Sequence, residues 1–125
     1  GSSELTKVRD EAVFVVLIDP RVISFLGDDI VGIVAHEVAH WLPNAEDCSL
    51  FLPFGSKHMR CEYGMDKKAA EWVGRETMER TLIVVIEFLE QLRQERLLSY
   101  LIWAIDQLNE RLSLLRKLPA SRPAP

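Results

Sequence analysis

Residues 32–41 read Gly-Ile-Val-Ala-His-Glu-Val-Ala-His-Trp, and their spacing governs how the rest of the chain is read. On a helix, residues four apart share one face, one turn above the other. His36 and His40 can therefore point two imidazoles at one metal ion. Glu37 is rotated by about 100° from His36, which suits a carboxylate beside the ion rather than bound to it. The plain alternative is two ordinary helical histidines bracketing a glutamate. Three specified positions, two of them histidine, match by chance in a chain this long well under about 1% of the time. Ile30, Val34, Val38 and Trp41 form an apolar stripe opposite the histidines, with Ile33 and Ala39 adding to it. Polar groups in so apolar a helix need partners, and a metal supplies them. The pattern is the H-E-x-x-H zinc signature.

On the N-terminal side, Ala12–Ile23 (AVFVVLIDPRVI) is rich in Val, Ile and Phe and reads as a buried strand ending near Asp19, because Pro20 lacks an N–H. Gly27-Asp28-Asp29 predicts a turn and an N-cap, opening a helix over Ile30–Leu42 that Pro43 stops. Residues 43–59 form a long connection, read as a loop packed through Phe51, Leu52 and Phe54. From Arg60 the chain reads as helix almost to Pro119. Gly74 breaks it, with later helices over Glu76–Gln94 and Leu97–Leu118. Leu98, Leu101, Ile105, Leu108, Leu112 and Leu115 make a narrow heptad seam. Residues 119–125 form a loose tail.

Two histidines leave a catalytic zinc one protein ligand short. His58, a cysteine or a carboxylate could supply it. Glu62 and Asp66, again four apart, are the best placed. Glu62 would bind the metal, and Asp66 would accept the free ring N–H of a ligand histidine. Ala69 and Ala70, one turn on, would let the two helices approach closely. On its own such a carboxylate pair usually marks a solvated face; the missing ligand is what favours the metal reading.

HExxH followed by ExxxD resembles the gluzincin metallopeptidases, and in size the minigluzincins. Residues 13–72 carry the likeness, through the strand ending Leu17-Ile18-Asp19-Pro20-Arg21, the helix Ala35–His40, and Glu62-Tyr63-Gly64-Met65-Asp66 leading to Trp72. The resemblance implies an α+β fold: a short N-terminal β-sheet, an HExxH helix and a glutamate helix, joined here by a C-terminal helical hairpin (76–118) in a single domain over 1–125. It further implies zinc-dependent hydrolysis of a peptide or protein substrate, with Zn2+ on His36, His40 and Glu62 and with Glu37 as general base and then acid. Substrate would lie extended along the strand near Phe14–Ile18. An oxyanion donor is expected, with His58, Tyr63 and Tyr100 as candidates; Tyr63, next to Glu62, should face away. The competing reading is a zinc-binding regulatory or partner-recognition module, latent or without activity.

The remaining features bound the class. Among 125 residues, 48% are apolar and 27% charged, which fits one folded domain. A net charge of −4 argues against a general nucleic-acid binder. Residues 1–56 carry three basic and nine acidic side chains, so the HExxH helix sits in the acidic half. No apolar run reaches membrane-spanning length. The opening Gly-Ser-Ser-Glu, without Met, reads as a tag remnant, so it says little about compartment. Cys48 and Cys61 could pair in an oxidising compartment, or one thiolate could cover the metal; the preferred reading is two reduced, partly buried thiols. Leu82, Val85, Leu89 and Leu92 should pack on the Leu98–Leu115 seam, leaving faces around Ile83, Ile86, Ile102 and Trp103 for a homodimer contact.

Overall fold

The computed structural model describes residues 2–8, 11–17, 20–53, 55–95 and 99–120; the side chains of 2–17, 22, 25, 99 and 100 lie outside the description. The expected α+β class is corrected here, because the body of the molecule is helical. It comprises α1 (Pro20–Leu26), α2 (Ile30–Ala39), α3 (Ser56–Val73), α4 (Arg75–Glu95) and α5 (Ser99–Arg116). Among the described residues, strand pairing is confined to one antiparallel hairpin of β1 (Ser2–Val8) and β2 (Glu11–Leu17). Both described apolar clusters are built from the helices and the 40–55 segment. The strand read from Ala12 to near Asp19 is described as β2 as far as Leu17, with Ile18 and Asp19 outside the described residues. Pro20 opens α1 instead of ending an edge strand, as proline's fixed φ and missing N–H allow at a first helical position.

A 3-10 turn, Gly27–Asp29, links α1 to α2, with Gly27 at φ 53°. Asp29 stands at the N-cap of α2 as predicted but makes no side-chain cap. Its carboxylate pairs instead with Arg80 of α4 at 3.2 Å, and its carbonyl accepts from Thr81 Oγ1 at 2.9 Å. A side chain at Gly32 would collide with that same Thr81, which is fully buried. Glycine is thus what lets α2 rest on α4.

The apolar stripe assigned to the packed side of α2 is only partly covered: Ile30, Ile33 and Trp41 are half-buried and Ala39 is buried, but the two valines are not. Val34 and Val38 are 38% and 40% exposed, whereas Gly32, Ala35 and Ala39 are buried. The reason is distance: small side chains allow the close helix approach that brings α3 against α2. Ala35 joins Ala69 and Ala70 in the main core, and Ala39 joins Cys61 and Met65 in a smaller cluster.

Gly74 ends α3 with φ 95°, a conformation that favours glycine. The seam on α5 is buried at Leu101, Ile105, Leu108, Leu112 and Leu115, while Leu98 lies outside the described residues. Leu82 is buried in the α4–α5 core, with Val85 and Leu89 packed against it. Ile83 and Ile86 also pack there, so of the four residues set aside for a dimer contact only Ile102 and Trp103 stay exposed. Arg75 Nη1 donates to the Leu118 carbonyl at 2.6 Å, fastening the last turn. Among the described residues no helix is long and apolar enough to cross a membrane.

Candidate metal centre

α2 ends at Ala39, three residues before the expected Leu42. The amides of His40, Trp41 and Leu42 bond back three residues to Glu37, Val38 and Ala39, a tightened last turn. His40 keeps helical φ and ψ and so stays one turn above His36. α3 begins at Ser56, four residues before the predicted Arg60. His58 therefore lies on a helix and not in a loop, one turn ahead of Glu62.

Where α2 crosses α3, three atoms converge. His36 Nε2 lies 2.8 Å from Glu62 Oε2, His40 Nε2 lies 3.2 Å from His36 Nε2, and His40 Nε2 lies 3.3 Å from the same Glu62 oxygen. Donors at about 2.0–2.2 Å from a four-coordinate zinc are themselves about 3.3 Å apart, so this triangle already has nearly the size of one face of such a site. Two ring nitrogens 3.2 Å apart can share only one proton between them. A cation satisfies both lone pairs and the carboxylate together, which makes the donor set a fit for a divalent ion. The residues brought together are those expected from the spacing: His36, His40 and Glu62.

The second expected carboxylate is also in position. His36 Nδ1 donates to Asp66 Oδ1 at 2.7 Å, which leaves Nε2 turned toward the triangle. Asp66 is fully buried. Its other partner was not anticipated: Arg111 of α5 donates from Nε to Oδ2 at 2.6 Å and from Nη2 to Oδ1 at 2.7 Å. Burial alone would push the Asp66 carboxyl up, but the Arg111 charge and its hydrogen bonds, with His36, hold it below the ordinary range. The chain thus runs ligand, carboxylate, guanidinium across three helices. A clue existed in the sequence, since Arg111 falls between Leu108 and Leu115, on the apolar face of its helix.

Burial also opposes charge on His36, yet the bonds to Asp66 and Glu62 and the Asp66 charge carry it from 6.5 to about 9 in the metal-free chain. Glu62 is likewise pushed up by burial but held well below its ordinary 4.5 by His36 and His40. The signs follow. Charged His36 stabilises the metal-free fold fully below about pH 6.5, and that contribution is lost as pH rises through about 9. The Glu62 contribution is present above about pH 4.5 and is lost as pH falls through its lowered value. A metal must displace the His36 Nε2 proton, so binding at pH 7 is expected to release about one proton per ion, with affinity rising about tenfold per pH unit until about pH 9. Calorimetry in buffers of different ionisation heat reads that release directly.

Beside the triangle opens a cleft of about 580 Å³, lined by Glu37, His40, Trp41, His58 and Glu62 together with residues 45–49. A smaller cavity of about 220 Å³ also borders Glu37 and Glu62, and its lining mixes Ile33, Met78, Leu82, Val85 and Leu108 with His36, Asp66, Thr81 and Arg111. Glu37 borders both spaces. His58 Nε2 is 3.7 Å from Glu62 Oε1, and its Nδ1 is buried with no hydrogen-bond partner among the described residues. Tyr63 packs on the main core and borders neither space, as its place beside Glu62 suggested. The side chain of Tyr100 and residue Ile18 of the expected substrate-binding strand lie outside the described residues.

Cys48 and Cys61 form a disulfide with Cα atoms 5.5 Å apart, so the reading of two reduced thiols is corrected. Both cysteines are buried. The bond ties the 40–55 segment to α3 one residue from Glu62 and contributes about 3 kcal/mol by restricting the unfolded chain. Phe51 packs half-buried beneath it, Leu52 is 83% exposed and not inward-facing as expected, and Phe54 lies outside the described residues. Asp47 accepts from Ser49 Oγ at 2.5 Å and Ser49 N at 3.1 Å; these bonds, and then His40, hold its carboxyl below the usual range. The chain matches no protein-family profile, no curated protein and no solved structure.

Proposed function

We propose that the protein is a zinc-dependent peptidase of gluzincin type. The observation that carries this reading is the convergence of His36 Nε2, His40 Nε2 and Glu62 Oε2, with Glu37 on the same helix bordering the open side. Two imidazoles and a carboxylate suit zinc among the common divalent ions, and three protein ligands leave a position open. A zinc ion held there supplies Lewis acidity to a carbonyl and lowers the pKa of a water.

The chain's own residues then divide the remaining work. Glu37 takes a proton from the attacking water and returns it to the leaving amine. Asp66, itself held by Arg111, fixes the His36 tautomer so that Nε2 stays free for the ion. The smaller cavity beside Glu37, apolar at Ile33, Met78, Leu82, Val85 and Leu108, offers room for part of a substrate. His58, which lines the cleft, is the candidate to donate to a carbonyl oxygen there.

The first test is metal content. Wild-type protein is expected to bind one zinc per chain and His36→Ala to bind none, by mass spectrometry or atomic absorption. A peptide-library digest with zinc added and then chelated follows. One zinc without metal-dependent cleavage of any peptide would point to a regulatory module instead.

A further inference from the structure

Two parts of the chain line the metal cleft: residues 45–49 of the connecting segment, and His40, His58 and Glu62 with their neighbours. Among the described residues, the hydrogen bonds of 45–53 stay close along the chain. Ala45 N donates to Leu42 O, Ser49 to Asp47, Leu50 N to Asp47 O, Phe51 N to Cys48 O, and Leu52 O accepts from Gly55 N. The one approach from α3, Cys61 Sγ to the Glu46 carbonyl at 4.0 Å, comes from a sulfur that carries no proton in the disulfide. These bonds fix the turns of the segment but not its seat against the helices.

The seat comes from the small apolar cluster, where Ala45, Cys48 and Phe51 meet Ala39, Cys61 and Met65. Two of its four buried members are the cystine itself, and Leu50 and Leu52 are exposed. The metal ligands are supported elsewhere. Their two helices meet through Ala35, Ala69 and Ala70, and Asp66 pins His36 while held by Arg111. Wall and ligand triangle therefore have separate supports, and the disulfide serves the wall. Each cysteine, though buried, also borders an open space. Cys48 lines the cleft, and Cys61 lines a groove of about 590 Å³ that shares Ala45 and Glu46 with it, so a small thiol has a route to the bond.

We propose that the Cys48–Cys61 pair is a redox latch on the cleft: oxidised, it sets the 45–53 wall for substrate; reduced, it frees that wall while the metal centre stays assembled. The proposal rests on the peptidase reading for its substrate and adds how the same site is regulated. A dithiol reductant supplies the electrons. Its thiolate attacks one sulfur, the S–S bond breaks with the other sulfur leaving, and its second thiol then displaces the first cysteine. The dithiol ends as a disulfide and Cys48 and Cys61 end as thiols, two electrons and two protons having been transferred.

The test compares the oxidised full chain, the reduced chain and Cys48→Ser/Cys61→Ser, which cannot re-form the bond. Reduction is done with a dithiol, which is removed without oxygen before zinc is loaded. Two zinc-binding probes are used: acetohydroxamate, which reaches only the ion, and a fluorescent tripeptide hydroxamate, which also lies along the cleft. Opening the latch is expected to speed amide exchange over 45–53 about tenfold or more, with exchange over 60–70 unchanged. The tripeptide hydroxamate should bind about tenfold more weakly, because the wall must now be ordered on binding. Acetohydroxamate affinity, zinc content and circular dichroism should stay as in the oxidised chain. Unchanged exchange over 45–53, or unchanged tripeptide affinity, would overturn the proposal. So would loss of zinc or of helical signal, which would assign the bond to the fold as a whole. Acetohydroxamate weakened in the reduced chain alone would place a thiolate on the zinc and overturn it too. If the latch behaves as expected but neither redox state cleaves any peptide of a library, the peptidase reading falls and the latch on the metal cleft stands.

Discussion

Glu37→Gln is expected to lower peptide hydrolysis by about 10²–10⁴-fold while one zinc remains bound. The amide keeps the size of the carboxylate but cannot accept the water proton. Because the three ligand atoms come from His36, His40 and Glu62, the substitution leaves the metal triangle intact. Metal content and activity must therefore part company in this variant. If hydrolysis persisted at the wild-type rate with zinc present, Glu37 would not be the base. If zinc were lost as well, Glu37 would belong to the ligand set, against the geometry.

The second large effect belongs to Arg111. Arg111→Leu leaves Asp66 buried, charged and deprived of two hydrogen bonds from one guanidinium. Breaking one side of such a pair costs about 3–5 kcal/mol, which denaturant unfolding would register as a large drop in midpoint. Zinc affinity should also fall about 10–100-fold, because the His36 tautomer loses its anchored acceptor. Asp66→Asn/Arg111→Met separates the two roles. Removing both charges together should restore much of the stability, while zinc affinity stays low. Full recovery of both would show that the buried pair serves only the fold.

These two side chains also mark how far the sequence could be read. The i, i+4 spacing puts His36 and His40 on one face of α2, with ring nitrogens 3.2 Å apart, and Glu62 and Asp66 on one face of α3; the contacts between the two pairs, at 2.7–3.3 Å, come from the packing of α2 on α3. Arg111 is 45 residues away from Asp66 along the chain, and no local periodicity links them. Only the packing of α5 on α3 brings the guanidinium to the carboxylate. His58 was misread for a related reason: α3 starts at Ser56, and a loop residue became a wall of the cleft.

The fold class was the larger error. A run such as Ala12–Ile23 is apolar enough for a strand or a buried helix, and composition does not separate them. The strand was read to end near Asp19, and β2 is described to Leu17; what the sequence reading missed is that Pro20 opens a helix, α1. The valines of α2 were assigned to the packed side by hydrophobicity, but the closest helix contact favours the smallest side chains. Ala35 falls in one cluster with Ala69 and Ala70, and Ala39 in another with Cys61 and Met65; side chains this small let α2 and α3 come near enough for a histidine and a glutamate to share one point.

By itself, then, the sequence determined the spacing of His36 with His40 and of Glu62 with Asp66, the break at Gly74 and the α5 seam, since each depends on the repeat of a single helix or on one residue's backbone freedom. The tertiary structure decided what lies between elements: the helical class, the Arg111 anchor and the Cys48–Cys61 tie. Those depend on which faces meet, and meeting faces are chosen by size and distance across the whole chain, which no local window contains.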